Sequence, residues 1–373
     1  MGMTLMEGNE AIARGAMHAG CRFYAGYPIT PATTIFNAMI KLLPPAGGYC
    51  IQGEDEIASI GMCLGASMAG LKAMTATSGP GLSLYSEHIS FAIGSEIPIV
   101  IVVVQRLGPS TGSATKGADG DIQFMRWGNS GGLPVIVLAP SDVKDCFELT
   151  AHAFNLAERY RCPVFIASNK EIGMTRESLD LSELNLPEVI ERKGPPTDKP
   201  FLPFGVDDHQ TVPYFLPIGG KVLVRQTSST HGPDGYITTD PAQISRNQER
   251  LYSKVLKAVA DFTFCESLIE PGAEVCIITY GVTARAAKDV YLRRKKQGQP
   301  VSLLILKTLW PVPEDLIKDK TLGAKRVVVI EMNKGQYVRE IKRVLPEKRV
   351  DFFGEMNGQL ISPDQIEEVL RNA

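Results

Sequence analysis

Three neighbouring acidic residues introduce a segment rich in small residues. Glu54, Asp55 and Glu56 lie near the start of residues 52–81, QGEDEIASIGMCLGASMAGLKAMTATSGPG. Apolar residues recur there at helical spacing, and glycines and alanines keep the bulk of the helix low, so that a ligand or another chain can approach closely. One of the carboxylates could therefore act in proton transfer or hydrogen bonding. The alternative is a buried helix whose acidic first turn only complements the helix dipole.

Other candidate residues follow apolar segments that are predicted to be strands. Thr30 lies in the turn YPITP after CRFYAG, and Arg106 follows the apolar run IPIVIVVVQ. Lys116 lies in the next loop, LGPSTGSATKGADGD. A guanidinium and an ammonium group suit an anionic ligand, and ligands bind α/β sheets at strand ends. The same residues are also compatible with a capping threonine and two solvated cations.

Composition excludes several classes of function. The chain has 373 residues, of which 44% are hydrophobic, and a formal charge of -2, so nucleic acid is not an expected partner. The longest apolar run, residues 97–104, is too short to span a membrane, and the first residues lack a continuous apolar signal region, so we expect a cytoplasmic protein. The seven cysteines are scattered without a C-x-x-C pair, which predicts no metal site or iron–sulfur cluster on this chain.

Alternating strand and helix patterns predict an α/β fold in two parts. Residues 1–190 contain about five or six strands expected to be parallel, with a glycine turn at SGPG. Residues 191–252 are rich in proline and glycine and are expected to form an irregular, packed extension. Residues 253–373 form a second, smaller α/β unit, and a helix is expected over residues 246–266.

Two other ligand motifs fit the sequence poorly. SGPGLSL has two glycines but lacks the third glycine of a dinucleotide-binding turn, and it does not open the chain. GADGD lacks the remaining ligands of a calcium loop. The glycine-rich segments therefore require another explanation.

Several motifs together resemble one family. GNEAI at 8–12, YPITP at 27–31, TSGPG at 77–81 and the loop at 105–121 are similar to the alpha subunits of split 2-oxoacid:ferredoxin oxidoreductases. In the second half the resemblance includes TYG at 279–281, LWPVP at 309–313 and IEMN at 330–333. The resemblance implies a parallel-sheet pyrimidine-binding domain of the thiamine-diphosphate enzymes over 1–190, with 191–252 as its extension. A transketolase C-terminal-like domain over 253–373 is implied to follow it.

The resemblance also implies roles for individual residues. The glutamate matching Glu56 hydrogen-bonds a ring nitrogen of the cofactor's aminopyrimidine and favours the tautomer that removes the thiazolium proton. Thr30 and Arg106 are implied to hold the 2-oxoacid, and Lys116 is expected to bind a second carboxylate, which favours 2-oxoglutarate. Branched-chain and aryl 2-oxoacids remain alternatives. The remaining residues of the expected cofactor site are Tyr27, Pro28, Ser78 and Gly79.

Part of the expected active site is missing from the sequence. Thiamine enzymes bind magnesium and diphosphate through a GDG motif, which this chain lacks, and Asn129 is too close to the DGD segment to replace its distant asparagine. The resemblance therefore implies a beta subunit with the Mg²⁺–diphosphate site and an iron–sulfur cluster, and it allows small gamma and ferredoxin-like delta subunits. Coenzyme A would accept the acyl group, and ferredoxin the electrons. A non-oxidative decarboxylase subunit and a non-enzymatic scaffold subunit are the competing hypotheses.

Overall fold

A computed structural model describes residues 2–196, 200–207 and 211–371 of the chain. The strands are β1 (Met3–Glu7), β2 (Phe23–Gly26), β3 (Tyr49–Gln52), β4 (Ala73–Thr77), β5 (Ile99–Gln105), β6 (Ile136–Leu138), β7 (Pro163–Asn169), β8 (Arg176–Asp180), β9 (Cys265–Leu268), β10 (Val275–Thr279), β11 (Ser302–Leu306), β12 (Thr308–Trp310), β13 (Arg326–Glu331) and β14 (Arg349–Gly354). The α-helices are α1 (Gly8–His18), α2 (Thr33–Leu42), α3 (Glu56–Met68), α4 (Gly79–Leu84), α5 (Ser86–Gly94), α6 (Ile122–Trp127), α7 (Val143–Tyr160), α8 (Lys170–Gly173), α9 (Pro241–Leu256), α10 (Thr283–Lys296), α11 (Glu314–Lys320), α12 (Val338–Val344) and α13 (Pro363–Arg371).

The first main sheet has seven strands in the order β12-β6-β7-β5-β4-β2-β3. The six strands from the first half of the chain are all parallel to one another. Strand β5 is buried along its whole length, and its side chains alternate between two apolar clusters: Val100, Val102 and Val104 on one side and Ile99 and Ile101 on the other. Helices α1, α2 and α7 contribute to the first cluster, and α3 and α5 to the second. The prediction of an α/β fold with a parallel sheet is therefore confirmed.

The second main sheet lies in the second half of the chain. Its order is β14-β13-β10-β11-β9, with only β9 antiparallel to its neighbour. Helices α10 and α13 supply apolar residues to one cluster, and α11 and α12 supply residues to the other. Strand β12 leaves this half of the chain and pairs antiparallel with β6 at the edge of the first sheet. The short segment between β11 and β12 therefore connects the two sheets.

Two local predictions are wrong. The helix expected over 246–266 instead occupies Pro241–Leu256, because the following residues form a 3₁₀ turn and then β9, which pairs with β11. The segment SGPG is not a simple turn, since α4 begins at Gly79 after the N-cap residue Ser78. A proline is well tolerated in the first turn of a helix, where its missing N–H would have no intrahelical partner.

The irregular extension is attached to the first sheet by buried charges. Residues 197–199 and 208–210 of this predicted segment lie outside the described residues. Glu96 is buried and pairs with Arg250 and with Lys254, whose Nζ lies 2.8 Å from the carboxylate. Burial alone would raise the pKa of Glu96, but Lys254 and Arg250 outweigh it and hold this pKa well below its usual range. Helix α9 is thereby fixed to the turn that precedes β5.

Candidate active site

The predicted site residues follow the carboxyl ends of neighbouring parallel strands. Tyr27 and Pro28 come directly after β2, Ser78 follows β4, and Arg106 follows β5. Glu56 begins α3 shortly after β3. These strands are adjacent in the sheet and run in the same direction, so their carboxyl ends meet at one edge. That edge is where parallel α/β sheets bind ligands.

Glu56 differs from the two acids before it. Asp55 is the N-cap of α3, and its carboxylate accepts a hydrogen bond from the backbone N–H of Ala58 at 2.7 Å. Glu54 is exposed, whereas the side chain of Glu56 is buried, with 7% exposure. Within the described residues, no group donates a hydrogen bond to the carboxylate of Glu56. The residue is buried overall but its carboxylate oxygens keep some exposure, so this group is available to a ligand that supplies the donor.

The last glycine of TSGPG allows α4 to pack against Glu56. A Cβ atom on Gly81 would lie 2.6 Å from Cγ and 2.8 Å from Oε1 of Glu56, and it would also overlap the hydroxyl of Thr77. Gly65, on α3, has open space at the equivalent position. The glycines of residues 52–81 therefore have different roles, and Gly81 is the one that limits the space around the carboxylate.

We expect Gly81→Ala to lower the free energy of unfolding by about 1–3 kcal/mol, because the added methyl group must displace Glu56 or Thr77. The matched control is Gly65→Ala, which adds the same methyl group to open space and should stabilise its helix by up to about 1 kcal/mol. Urea denaturation of the two variants measures the difference. Equal destabilisation by both substitutions would contradict the packing described for Gly81.

Arg106 is held by two backbone carbonyl groups. Its side chain is buried, with Nη1 donating to the oxygen of Thr30 at 2.6 Å and Nη2 to the oxygen of Thr111 at 3.0 Å. Its Nε is buried and has no hydrogen-bond partner among the described residues. Burial lowers the pKa of Arg106, and the nearby carboxylate of Asp121 opposes this shift. The structure thus brings Arg106 to the turn of Thr30 and leaves one buried donor for an anionic ligand.

Lys116 lies in the loop that begins after Arg106. Its backbone oxygen accepts a hydrogen bond from Leu107 N at 2.8 Å, and its own N–H donates to Ser113 O at 3.0 Å. The residue is exposed, and the carbon chain of its side chain contacts Gly358 in the second half of the protein. The backbone of Lys116 is thus placed beside the residue that follows Arg106.

Sequence reasoning did not identify Asp119 and Asp121, which the structure places at the site. Oδ2 of Asp121 is buried, accepts no hydrogen bond from the part of the chain that the structure describes, and lies 3.0 Å from the position of a Cβ atom on Gly79. Burial raises the pKa of Asp121 to about 6 despite the opposing charge of Arg106. Burial also raises the pKa of Asp119 to about 7, although Asn169 donates a hydrogen bond to it at 2.8 Å. The sequence does show these two acids at the end of a glycine-rich loop, but they were weighed there only as ligands of a calcium or magnesium ion.

The second half of the chain fixes the end of this loop. Asp119 N donates to Met332 O at 2.9 Å, and Nδ2 of Asn333 donates to the backbone oxygen of Asp119 at 2.9 Å. Gln336 donates to the oxygen of Gly120. The loop that contains Lys116 is therefore attached at its far end to the IEMN segment.

Buried hydrogen bonds make the IEMN segment rigid. Glu331 accepts hydrogen bonds from the hydroxyl of Tyr280 at 2.8 Å and from the backbone N–H groups of Tyr337 and Val338 at 2.9 and 2.8 Å. Asn333 accepts a bond from Gly335 N at 2.8 Å. The TYG and IEMN motifs thus support the loop instead of forming a separate site.

Among the described residues, no group of three or more histidine, cysteine, aspartate or glutamate side chains could hold a metal ion. In the same part of the chain no helix is long and apolar enough to cross a membrane. All seven cysteines are free.

Comparison with protein families identifies both halves of the chain. A family described as "Pyruvate flavodoxin/ferredoxin oxidoreductase, thiamine diP-bdg" matches residues 14–250. A second, "Pyruvate:ferredoxin oxidoreductase core domain II", matches residues 273–366.

Curated relatives match over nearly the full length. The 2-oxoglutarate synthase subunit KorA of Methanocaldococcus jannaschii is 42% identical over 374 residues, which cover 99% of this chain and 100% of that protein. KorA of Archaeoglobus fulgidus is 40% identical over 375 residues and 99% of each chain. The ketoisovalerate oxidoreductase subunit VorB of Methanothermobacter thermautotrophicus is 32% identical over 371 residues, covering 100% of this chain and 98% of that protein.

A solved structure of 2-oxoglutarate:ferredoxin oxidoreductase from Magnetococcus marinus, with 2-oxoglutarate, coenzyme A and succinyl-CoA bound, matches with a TM-score of 0.92 and 32% identity. The match covers 99% of this chain, which spans 65% of that longer chain. A split-gene transketolase, in its inactive beta4 tetramer, matches at 13% identity with a TM-score of 0.55, covering 93% of this chain and 87% of the other, and shows the shared fold alone. The predicted fold class is therefore confirmed, and the chain belongs to the alpha-subunit family of the 2-oxoacid:ferredoxin oxidoreductases.

Proposed function

We propose that this chain is the alpha subunit of an enzyme that converts 2-oxoglutarate, coenzyme A and oxidised ferredoxin to succinyl-CoA, carbon dioxide and reduced ferredoxin. The observation that carries this proposal is the buried residue Glu56, whose carboxylate accepts no hydrogen bond from the described residues, at the same sheet edge as Arg106. The full-length relatives named 2-oxoglutarate synthase are 37–42% identical to the chain and support this substrate. The ketoisovalerate relative, at 32% identity, fits the branched-chain alternative less well.

The residues at the sheet edge fit thiamine diphosphate. When bound, this cofactor supplies the carbon nucleophile that attacks a keto group and stabilises the charge left by decarboxylation. Glu56 would hold a ring nitrogen of the pyrimidine, since its carboxylate is buried and available as an acceptor. Ser78 would contact the same ring through its hydroxyl, whose oxygen is buried and has no partner within residues 2–196, 200–207 and 211–371. Tyr27, Pro28 and Gly79 complete the proposed ring site.

Arg106 and Thr30 would bind the carboxylate and keto oxygen of the substrate. The guanidinium of Arg106 has a buried Nε available, and two carbonyl groups fix its direction. Lys116 would bind the second carboxylate, which distinguishes 2-oxoglutarate from monocarboxylic 2-oxoacids. Closure of this edge by another chain would exclude water and strengthen each of these charge-assisted bonds.

The rest of the active site is assigned to partners. We place the Mg²⁺–diphosphate site and an iron–sulfur cluster on a beta subunit, because this sequence lacks GDG and its described residues hold no cluster of metal ligands. Small gamma and ferredoxin-like delta subunits are included in the proposed complex. The same proposal divides the chain into residues 1–190, 191–252 and 253–373. It also includes a cytoplasmic location. The seven free cysteines suit a reducing compartment.

The test is to co-purify the complex and measure viologen reduction with a panel of 2-oxoacids, each with and without coenzyme A. We expect reduction that requires coenzyme A and a higher kcat/KM for 2-oxoglutarate than for branched-chain and aryl 2-oxoacids. A higher value for a branched-chain substrate would reject the substrate assignment. Aldehyde release without coenzyme A or an acceptor would indicate a decarboxylase, and a partner fully active without this chain would indicate a scaffold.

A further inference from the structure

The side chain of Lys116 lies against the backbone of Gly358, far away in the sequence. A Cβ atom on Gly358 would be 2.8 Å from Cβ of Lys116, 3.1 Å from Cγ and 3.2 Å from Cδ. Three successive carbons of the lysine therefore run across one glycine. Gly358 is buried in this contact, and only a residue without a side chain leaves room for the lysine carbons.

The backbone around Gly358 is independently fixed. Asn357 accepts a hydrogen bond from Gln359 N at 2.8 Å and donates one to Glu355 at 2.6 Å, so the glycine lies inside a tight turn. Glu355 N donates to the oxygen of Glu331, which belongs to the rigid IEMN segment. The turn that contacts Lys116 is thus hydrogen-bonded to the IEMN segment, which also holds the end of the Lys116 loop.

A second glycine contact joins the same two loops. A Cβ atom on Gly120 would lie 2.8 Å from the terminal methyl group of Met356. Gly120 also accepts a hydrogen bond through its backbone oxygen from Gln336. The loop that follows Arg106 is therefore packed at two points against residues 356–358.

This packing restricts the conformational freedom of the Lys116 side chain. A free lysine side chain loses up to about 2 kcal/mol of rotamer freedom when it is fixed by a ligand. The backbone of Lys116 is held by Leu107 and Ser113, and its first three side-chain carbons are held by Gly358, so part of this entropy is already lost before a ligand binds. The ammonium group can then be presented to an anion over a narrower range of directions.

We propose that Gly358 is a positioning residue for selectivity toward dicarboxylic 2-oxoacids, acting by directing the Lys116 ammonium toward the distal carboxylate of the substrate. The inference rests on the proposed binding role of Lys116 and adds the second half of the chain to the substrate site. In this role Gly358 acts through Lys116 and not by its own contact with the substrate. Its effect should therefore appear in the binding of the distal carboxylate and not in the chemical step.

The test compares Gly358→Asn with Gly298→Asn in the reconstituted complex. Both glycines have positive φ, +78° and +70°, and asparagine is among the residues that best tolerate this conformation. A Cβ atom on Gly298 would meet no atom within 4 Å, so this control reproduces the backbone change without the lysine contact. The readout is the ratio of kcat/KM for 2-oxoglutarate to kcat/KM for 2-oxobutyrate, with kcat recorded separately.

We expect Gly358→Asn to lower this ratio about 5- to 20-fold through KM, with kcat for 2-oxoglutarate within about twofold of wild type. Gly298→Asn should leave the ratio unchanged. In a Lys116→Ala background, Gly358→Asn should have little further effect on the ratio, because the side chain through which it acts is gone. If Gly358→Asn does not assemble, Gly358→Ala is measured in the same cycle.

The outcomes separate the two proposals. A lowered ratio in Lys116→Ala with an unchanged ratio in Gly358→Asn would overturn the role of Gly358 and leave that of Lys116 intact. An unchanged ratio in Lys116→Ala would reject the binding role of Lys116 and the inference with it. A fall in kcat that is equal for both substrates, or an effect of Gly358→Asn that persists fully in the Lys116→Ala background, would also overturn the positioning role.

Discussion

Replacing Glu56 by Gln is expected to lower kcat of the reconstituted complex by about 100- to 10,000-fold, the range attributed to a positioned acid–base group. The amide has nearly the same size as the carboxylate but no negative charge, so it cannot favour the protonated pyrimidine nitrogen in the same way. Closure of the site by the partner subunit would make this difference large, because water would then be excluded and could not replace the lost charge. Viologen reduction at saturating 2-oxoglutarate and coenzyme A gives kcat directly.

The matched control for this prediction is Glu54→Gln, two residues away and exposed. It should change kcat by less than about twofold, because an exposed carboxylate in high dielectric contributes little to chemistry at a buried site. Thermal unfolding of both variants excludes misfolding as the cause. If Glu56→Gln turns over within a few-fold of wild type, the assigned role of Glu56 is wrong.

Arg106→Met should lower kcat/KM for 2-oxoglutarate by about 30- to 3,000-fold, mainly through KM, as expected when one partner of a buried charge pair is removed. The substitution removes the cation that faces the substrate carboxylate, and it also leaves the oxygens of Thr30 and Thr111 without their donors. Steady-state kinetics over a wide range of 2-oxoglutarate concentrations separates KM from kcat.

Arg14→Met provides the comparison for Arg106, since Arg14 forms an exposed helical pair with Glu10. Such pairs contribute little to stability, and kinetics should be unchanged. A wild-type KM in Arg106→Met would mean that another group binds the substrate carboxylate. A loss confined to stability would leave Arg106 as a structural residue of the loop.

The residues at the sheet edge could be predicted because short stretches of sequence identify the strands that they follow. The continuous apolar run of β5 identifies a strand buried on both faces, and Arg106 must then lie at its carboxyl end. The glycine and acidic pattern of residues 52–81 left three acids as candidates, and the family resemblance pointed to Glu56, which is buried in the structure. Local sequence could also place Ser78 after β4, but it could not show that Gly81 would face Glu56, because that contact depends on the packing of α4 against α3.

The parts that could not be predicted depend on distant contacts. The sequence around β12 does not indicate that this strand joins the first sheet. There it pairs with β6, which lies about 170 residues earlier in the chain. The attachment of Asp119 to Met332 and the packing of Lys116 on Gly358 are likewise set by how the two halves meet. Asp121 was missed for the same reason, since its position beside Gly79 is a tertiary contact between two loops.

The most direct test of the central claim is product analysis with the complete complex. With 2-oxoglutarate, coenzyme A and oxidised ferredoxin, we expect succinyl-CoA and carbon dioxide in equal amounts, with the electron pair recovered in reduced ferredoxin. Omission of this chain, or its replacement by the Glu56→Gln variant, should abolish or strongly reduce all three. Formation of an aldehyde without coenzyme A, or full succinyl-CoA formation by the partner subunits alone, would contradict the account.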